Sequence, residues 1–131
     1  PNEIIDIATL TGACSIALGD QASAILGTNN AHIKRMIEIG EQTGERLWQL
    51  PLYEEYGQYL KSEVADIKNA HETRLAGTAT AAKFLSEFVS CNNWIHIDIA
   101  STMMTKKQSG YKSKGMNPEN IQNIVRYIQE A

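Results

Sequence analysis

Two titratable side chains have the spacing of a ligand pair. His96 and Asp98 are separated by one residue in segment 94–99, where apolar and polar residues alternate. In a β-strand, this alternation places both side chains on one face, and an imidazole together with a carboxylate can bind a divalent cation. We favour the interpretation that they are a hydrogen-bonded histidine and aspartate at a strand end. A two-ligand metal site is the alternative.

A second candidate site follows an apolar run near the start of the sequence. Residues 4–8 are typical of a strand buried on both faces, as in a parallel sheet covered by helices, and Thr9, Leu10, Thr11 and Gly12 follow it. Gly12 lets the backbone turn sharply or approach a ligand without a Cβ in the way. Because ligands of open α/β sheets collect beyond the carboxyl ends of strands, we expect a binding surface at these four residues, the 9–12 corner. A plain strand-to-helix turn is the alternative.

The remaining cysteines and histidines give weaker signals. Cys14 follows the corner at a possible helix start, where the pKa of a thiol can fall, but no general-base histidine accompanies it, so we predict a buried thiol. His32 and His71 have no partner at metal-ligand spacing. No His-Glu-x-x-His, Gly-x-Ser-x-Gly or phosphate-loop pattern occurs in the sequence. The residues alone therefore assign no catalytic group and no metal ligand.

Alternating strands and helices must position these residues. Besides residues 4–8, strands are predicted at 22–28 and 94–99, and 48–52 is predicted to be an extended linker. Helices are predicted at 32–42, with Asn30 as a reasonable cap, and at 53–62 and 78–89. Strands separated by helices indicate an α/β fold with a mainly parallel sheet flanked by helices.

The end of the chain is predicted to be a long loop and a last helix. Segment 102–115 is polar and punctuated by glycine, which favours a loop; docking of a partner chain by this loop is one alternative function. A helix is predicted to begin at Asn117, with Pro118 in its first turn. Its predicted inner face consists of Ile121, Ile124, Val125 and Ile128.

Length and composition restrict the class of protein. The chain has 131 residues, enough for one domain or part of one, and 43% hydrophobic with 21% charged residues is ordinary for a soluble globular protein. The net charge of −3 gives no basic footprint for nucleic acid, and no apolar run approaches the roughly 20 residues that span a bilayer.

The cysteines and the first residues indicate the compartment. The 2 cysteines lack Cys-x-x-Cys spacing, so we predict that both are buried and reduced in a cytoplasmic protein. The first residues have neither the basic flank nor the apolar core of a signal peptide. Because the sequence opens on Pro1 and runs straight into a strand, we expect a piece of a longer polypeptide.

Five ordered blocks resemble the cytosol (leucyl) aminopeptidases. The first is Asp-Ile-Ala-Thr-Leu-Thr-Gly-Ala at 6–13. The others are Gly-Glu-Arg-Leu-Trp-Gln-Leu-Pro-Leu at 44–52, Ser-Glu-Val-Ala-Asp-Ile-Lys-Asn at 62–69, Ala-Gly-Thr-Ala-Thr-Ala-Ala-Lys-Phe-Leu at 76–85 and Trp-Ile-His-Ile-Asp-Ile-Ala at 94–100. They cover nearly the whole chain in the family's order. The sequence departs from the family at Ser101, where the family usually has glycine.

The resemblance implies an enzyme and its cofactors. Residues 1–131 would be the carboxyl-terminal portion of a larger α/β metallopeptidase catalytic domain. The complete protein would release N-terminal residues, preferably leucine, from peptides with two divalent ions, zinc or manganese, and would form a hexamer. The family's metal-ligand motif, Asn-Thr-Asp-Ala-Glu-Gly-Arg, is absent from the sequence. No catalytic residue or metal ligand is therefore carried over, and the fragment alone is expected to be inactive.

The resemblance also implies four substrate-binding residues. Thr9, Leu10 and Gly12 would border the pocket for the N-terminal side chain of the peptide, and Ala100 would line the same pocket. Backbone groups of Leu10 and Gly12 would hold the peptide or a bicarbonate-like anion. Simple core packing of Leu10 and Ala100 is the alternative for those residues. A non-catalytic α/β module that binds a small anion at the 9–12 corner is the alternative for the whole chain.

Overall fold

A mixed four-stranded sheet forms the centre of the molecule. The computed structural model describes residues 1–70 and 72–130. The strands are β1 (Ile4–Ala8), β2 (Ser23–Gly27), β3 (Leu47–Gln49) and β4 (Trp94–Asp98), in the order β1-β4-β2-β3. β1 pairs with β4 and β2 with β3 in parallel, whereas β2 and β4 are antiparallel. The predicted α/β class is confirmed, with one antiparallel pairing in a largely parallel sheet.

Helices cover both faces of this sheet. They are α1 (Gly12–Leu18), α2 (Asn30–Thr43), α3 (Gly77–Ser86) and α4 (Ile121–Gln129), and a 3₁₀ helix spans Glu54–Leu60. α1 and α3 pack on one face in a core that includes Cys14, Ala82 and Trp94. α2 and α4 pack on the other face around Met36 and Tyr127. No helix within the described ranges is long and apolar enough to cross a membrane.

Helix α4 faces the opposite way from the sequence prediction. Ile121, Val125 and Ile128 are 56%, 49% and 65% exposed, whereas Asn123 and Tyr127 are buried. The predicted inner face is therefore wrong for these three residues, although Ile124 is half-buried and packs against the core.

A polar contact fixes the rotation of α4. Asn123 donates its backbone N–H to Glu45 Oε2 at 3.0 Å and its side-chain amide to the Glu45 carbonyl at 2.7 Å. The helix begins after Asn120, whose left-handed φ of 65° places it outside the helix, and not at Asn117.

Several other boundaries differ from the predictions. The predicted linker 48–52 begins within β3, and the predicted helix at 53–62 is a 3₁₀ helix. The predicted loop 102–115 includes part of an antiparallel hairpin. Its two strands are β5 (Met104–Thr105) and β6 (Gly115–Met116). The cap of α2 is Asn29, one residue earlier than predicted. The prediction for His71 lies outside the described residues.

Candidate functional site

The 9–12 corner lies at one edge of the sheet because β1 and β4 are parallel neighbours. Ala8 lies opposite Asp98 at the carboxyl ends of the two strands. The backbone N–H of Ile99 donates to the Ala8 carbonyl at 2.9 Å, which continues the pairing by one residue. The corner that follows β1 and Ala100 beyond β4 therefore leave the sheet side by side.

The buried carboxylate of Asp98 holds this edge together. Its Oδ1 accepts the backbone N–H groups of Leu10 and Ala100, both at 3.1 Å. Its Oδ2 accepts the Thr11 backbone N–H at 3.1 Å and the Thr11 hydroxyl at 2.7 Å. The Asp98 side chain is fully buried, so these four donors replace the water that a carboxylate would otherwise bind. A single side chain thus fixes the backbone on both sides of the candidate site.

Thr11 connects the corner to two helices. It is the N-cap of α1, with extended φ and ψ of −135° and 139°, and its hydroxyl oxygen accepts the Cys14 N–H at 3.2 Å. The same oxygen lies 2.8 Å from the hydroxyl oxygen of Thr78 in α3. This role of Thr11 was not predicted, although threonine before a short Gly-Ala run is a typical cap. The capped N–H and the 7-residue length of α1 give the alternative of an anion-binding module no support.

The corner opens toward solvent. Leu10 is 38% exposed, Thr9 and Gly12 are exposed, and Ala100 is half-buried. Apart from its two chain neighbours and the backbone of its own helix, no described residue has a heavy atom within 4 Å of the position that a Cβ on Gly12 would occupy. The structure therefore brings all four sequence-predicted residues to one sheet edge and leaves space beside Gly12.

Ser101, which follows Ala100, points its hydroxyl into the protein. It is buried and donates its hydroxyl to the Ala22 carbonyl at 2.7 Å. The neighbouring carbonyl of Ala100 accepts the Ser15 hydroxyl at 3.1 Å. The Ser101 side chain is therefore hydrogen-bonded to the loop before β2.

His96 and Asp98 lie on the same strand face but have different hydrogen-bond partners. His96 Nδ1 lies 2.5 Å from Asp6 Oδ1, and the indole N–H of Trp94 donates to Asp6 Oδ2 at 2.6 Å. Asp98, in contrast, accepts hydrogen bonds from Leu10, Thr11 and Ala100. The favoured interpretation of hydrogen-bonded side chains is confirmed. Residues 1–70 and 72–130 contain no group of three or more His, Cys, Asp or Glu residues placed to hold a metal ion.

The two cysteines differ in their surroundings. Cys14 is fully buried and its thiol lies 3.4 Å from both the Asp98 carbonyl and the Ser101 hydroxyl. Burial raises the pKa of the Cys14 thiol, which confirms the predicted buried thiol. Cys91 is only half-buried, contrary to the prediction; both are free of disulfides.

Known proteins share both the sequence and the fold. Residues 1–125 match the family model described as the cytosol aminopeptidase family, catalytic domain. A probable cytosol aminopeptidase of Geobacter sulfurreducens is 47% identical over 129 residues, and one of Gloeobacter violaceus is 42% identical over 125 residues. These alignments cover 98% and 95% of this chain but only 26% and 25% of the relatives. The chain thus spans about a quarter of the length of the curated relatives it matches.

Solved structures agree with this assignment. A crystal structure of cytosol aminopeptidase from Coxiella burnetii has a TM-score of 0.88 and 37% identity, and covers 99% of this chain and 28% of that one. A mutant of tomato leucine aminopeptidase has a TM-score of 0.90 and 31% identity, and covers 99% of this chain and 25% of that one. The family model, the relatives and the fold coincide over nearly every residue, so this chain belongs to the cytosol aminopeptidase family.

Proposed function

We propose that residues 1–131 form the carboxyl-terminal portion of the catalytic domain of an aminopeptidase that releases N-terminal residues, leucine above others, from peptides. The membership in the family supports the reaction. The observation that carries the role of this portion is the shared acceptor at the sheet edge, where the N–H groups of Leu10 and Ala100 bind one oxygen of Asp98.

In this proposal, Thr9, Leu10, Gly12 and Ala100 bind the N-terminal residue of the peptide. The partly exposed side chain of Leu10 offers apolar surface to a leucine side chain. Gly12 leaves space beside the backbone, and the small side chain of Ala100 does the same on the neighbouring strand. An apolar surface with open space beside it is suited to an aliphatic side chain.

The metal ions of the proposed enzyme are bound elsewhere. Two divalent ions, zinc or manganese, would activate water and polarise the scissile carbonyl in the complete protein. The described residues do not fit such a centre, because they offer no cluster of three ligands and because both carboxylate oxygens of Asp98 already accept hydrogen bonds. The ligands would come from polypeptide outside residues 1–131, in a cytoplasmic hexamer.

Hydrolysis of leucine p-nitroanilide by two proteins tests the proposal. The full-length protein that contains this chain should cleave the anilide, and EDTA should abolish the cleavage. The 131-residue chain alone should show no hydrolysis with or without added zinc or manganese. Hydrolysis by the isolated chain, or a full-length protein that lacks aminopeptidase activity, would contradict the proposal.

A further inference from the structure

The hydroxyl groups of Thr78 and Thr11 form a directed chain that ends at Asp98. The two oxygens lie 2.8 Å apart although 67 residues separate them. A threonine hydroxyl has one proton to donate, and Thr11 gives that proton to Asp98 Oδ2 at 2.7 Å. Thr78 must therefore be the donor to Thr11. The order of donation is Thr78 to Thr11 to Asp98.

The first turn of α3 is packed tightly against the start of α1. A Cβ on Gly77 would lie 2.8 Å from the Cβ of Ala13, so only glycine allows this approach without displacement. Ala76, at the N-cap of α3, has a left-handed φ of 48°. Thr78 itself is buried. Gly77 and Thr78 are adjacent in α3. They thus contact Ala13 and Thr11, the residues on either side of Gly12.

We propose that Thr78 is a positioning residue for the substrate corner. Its hydroxyl fixes Thr11, and Thr11 lies between Leu10 and Gly12, the two residues whose backbone would contact the peptide. This inference rests on the proposed function of the corner. Thr78 touches no reacting atom in this account, so its removal should weaken substrate binding and leave the chemical step intact.

A nearby threonine provides a matched control. Thr80 lies in the same turn of α3 and is as buried as Thr78, at 3% against 4% exposure. Its hydroxyl oxygen has no hydrogen-bond partner within the part of the chain that the structure describes. Thr78→Val and Thr80→Val therefore make the same chemical change at sites that differ in the bond to Thr11.

Amide hydrogen exchange on the full-length protein tests the positioning by itself. In Thr78→Val, the N–H groups of Leu10, Thr11 and Ala100 should exchange about fivefold faster, as the loss of one hydrogen bond predicts. Thr78→Ser, which keeps the hydroxyl, should restore slow exchange, and Thr80→Val should leave it unchanged. Thr78→Ala, which adds no atoms, replaces Thr78→Val if valine prevents folding. Unchanged exchange at the corner in the folded variant, or equal acceleration by Thr80→Val, would overturn the inference.

Kinetics of the full-length protein test the link to substrate. Thr78→Val should raise the KM for leucine p-nitroanilide about fivefold with kcat nearly unchanged, and Thr78→Ser should restore it. Faster exchange at the corner with an unchanged KM would refute the corner as the substrate site. It would also refute the claim that Thr78 affects substrate binding. Unchanged exchange refutes the positioning role even where the protein is an active aminopeptidase. The two failures are therefore distinguishable.

Discussion

The backbone N–H of Leu10 donates to Asp98 Oδ1 at 3.1 Å, across 88 residues of sequence. Asp98 ends β4, and Leu10 follows the parallel strand β1, so the bond joins two neighbouring strand ends. The same carboxylate accepts three further donors. The candidate site is thus built by backbone around one buried anionic group, and its geometry depends on that group keeping two acceptor oxygens.

Asp98→Asn should destabilise the chain. The amide nitrogen of asparagine would replace one acceptor oxygen and face N–H or O–H donors, leaving at least one buried donor without a partner. We expect the free energy of unfolding to fall by about 2 kcal/mol, measured by urea denaturation. Asp66→Asn, at an exposed position, should change it by less than about 0.5 kcal/mol. Equal effects of the two substitutions would show that the carboxylate of Asp98 has no special role.

Alanine substitutions on the two faces of α4 should differ in how much stability they cost. Tyr127 is buried and donates its hydroxyl to Glu3 Oε1 at 2.7 Å, so Tyr127→Ala should cost about 3 kcal/mol of unfolding free energy. Ile128 is 65% exposed, so Ile128→Ala should cost less than about 0.5 kcal/mol. Denaturation curves of the isolated chain measure both. The reverse order would support the inner face predicted from hydrophobic spacing.

The candidate residues could be placed at one sheet edge from the sequence, but the contacts that fix them could not. The apolar runs of β1 and β4 predicted two strands, and parallel strands bring their carboxyl ends together, so Leu10 and Ala100 could be placed at one edge. The bond from Thr78 to Thr11 joins residues 67 positions apart, and no local pattern marks such a pair. The spacing of His96 and Asp98 favoured hydrogen-bonded side chains, but residue type alone did not identify the four donors that Asp98 accepts.

The rotation of α4 was not predictable for the same reason. Hydrophobic spacing placed Ile121, Val125 and Ile128 inside. The hydrogen bonds between Asn123 and Glu45, which lie 78 residues apart, turn that face outward. Buried polar groups must be paired, and this requirement outweighed the apolar pattern of a nine-residue helix.

Glu45→Gln should make stability less dependent on pH. Burial raises the pKa of Glu45, and the unfolded-state pKa of a glutamate is about 4.3. Below that pH, Glu45 is protonated in both the folded and the unfolded state. As the pH rises, Glu45 loses its proton first in the unfolded state, so the free energy of unfolding falls. The fall ends once the pH has passed the folded-state pKa. Glutamine keeps an acceptor for the Asn123 N–H but does not titrate.

Urea denaturation of both proteins between pH 4 and 8 measures this effect. The unfolding free energy of Glu45→Gln minus that of the unmodified chain should increase with pH just above about 4.3 and then become constant. A difference that decreases over the same range would mean that the folded state lowers the pKa of Glu45.

The thiols should react at very different rates. Cys91 is half-buried, whereas Cys14 is fully buried and burial raises its thiol pKa, so little thiolate is available at pH 8. We expect Ellman's reagent to titrate Cys91 quickly in the folded chain and Cys14 only after denaturation. Cys91→Ser should abolish the fast phase. A fast phase that persists in this variant would show that Cys14 is accessible.

A valine at Gly12 tests most directly whether the 9–12 corner binds the N-terminal side chain of the substrate. Gly12 has open space around its missing Cβ, so Gly12→Val should fold and occupy that space. Ala31→Val adds the same kind of bulk at an exposed position in the first turn of α2, a helix on the opposite face of the sheet. The quantity to measure is kcat/KM of the full-length protein for leucine anilide relative to alanine anilide. Our account predicts that Gly12→Val lowers this ratio about tenfold and that Ala31→Val leaves it unchanged. An unchanged ratio in a folded, active Gly12→Val protein would contradict it.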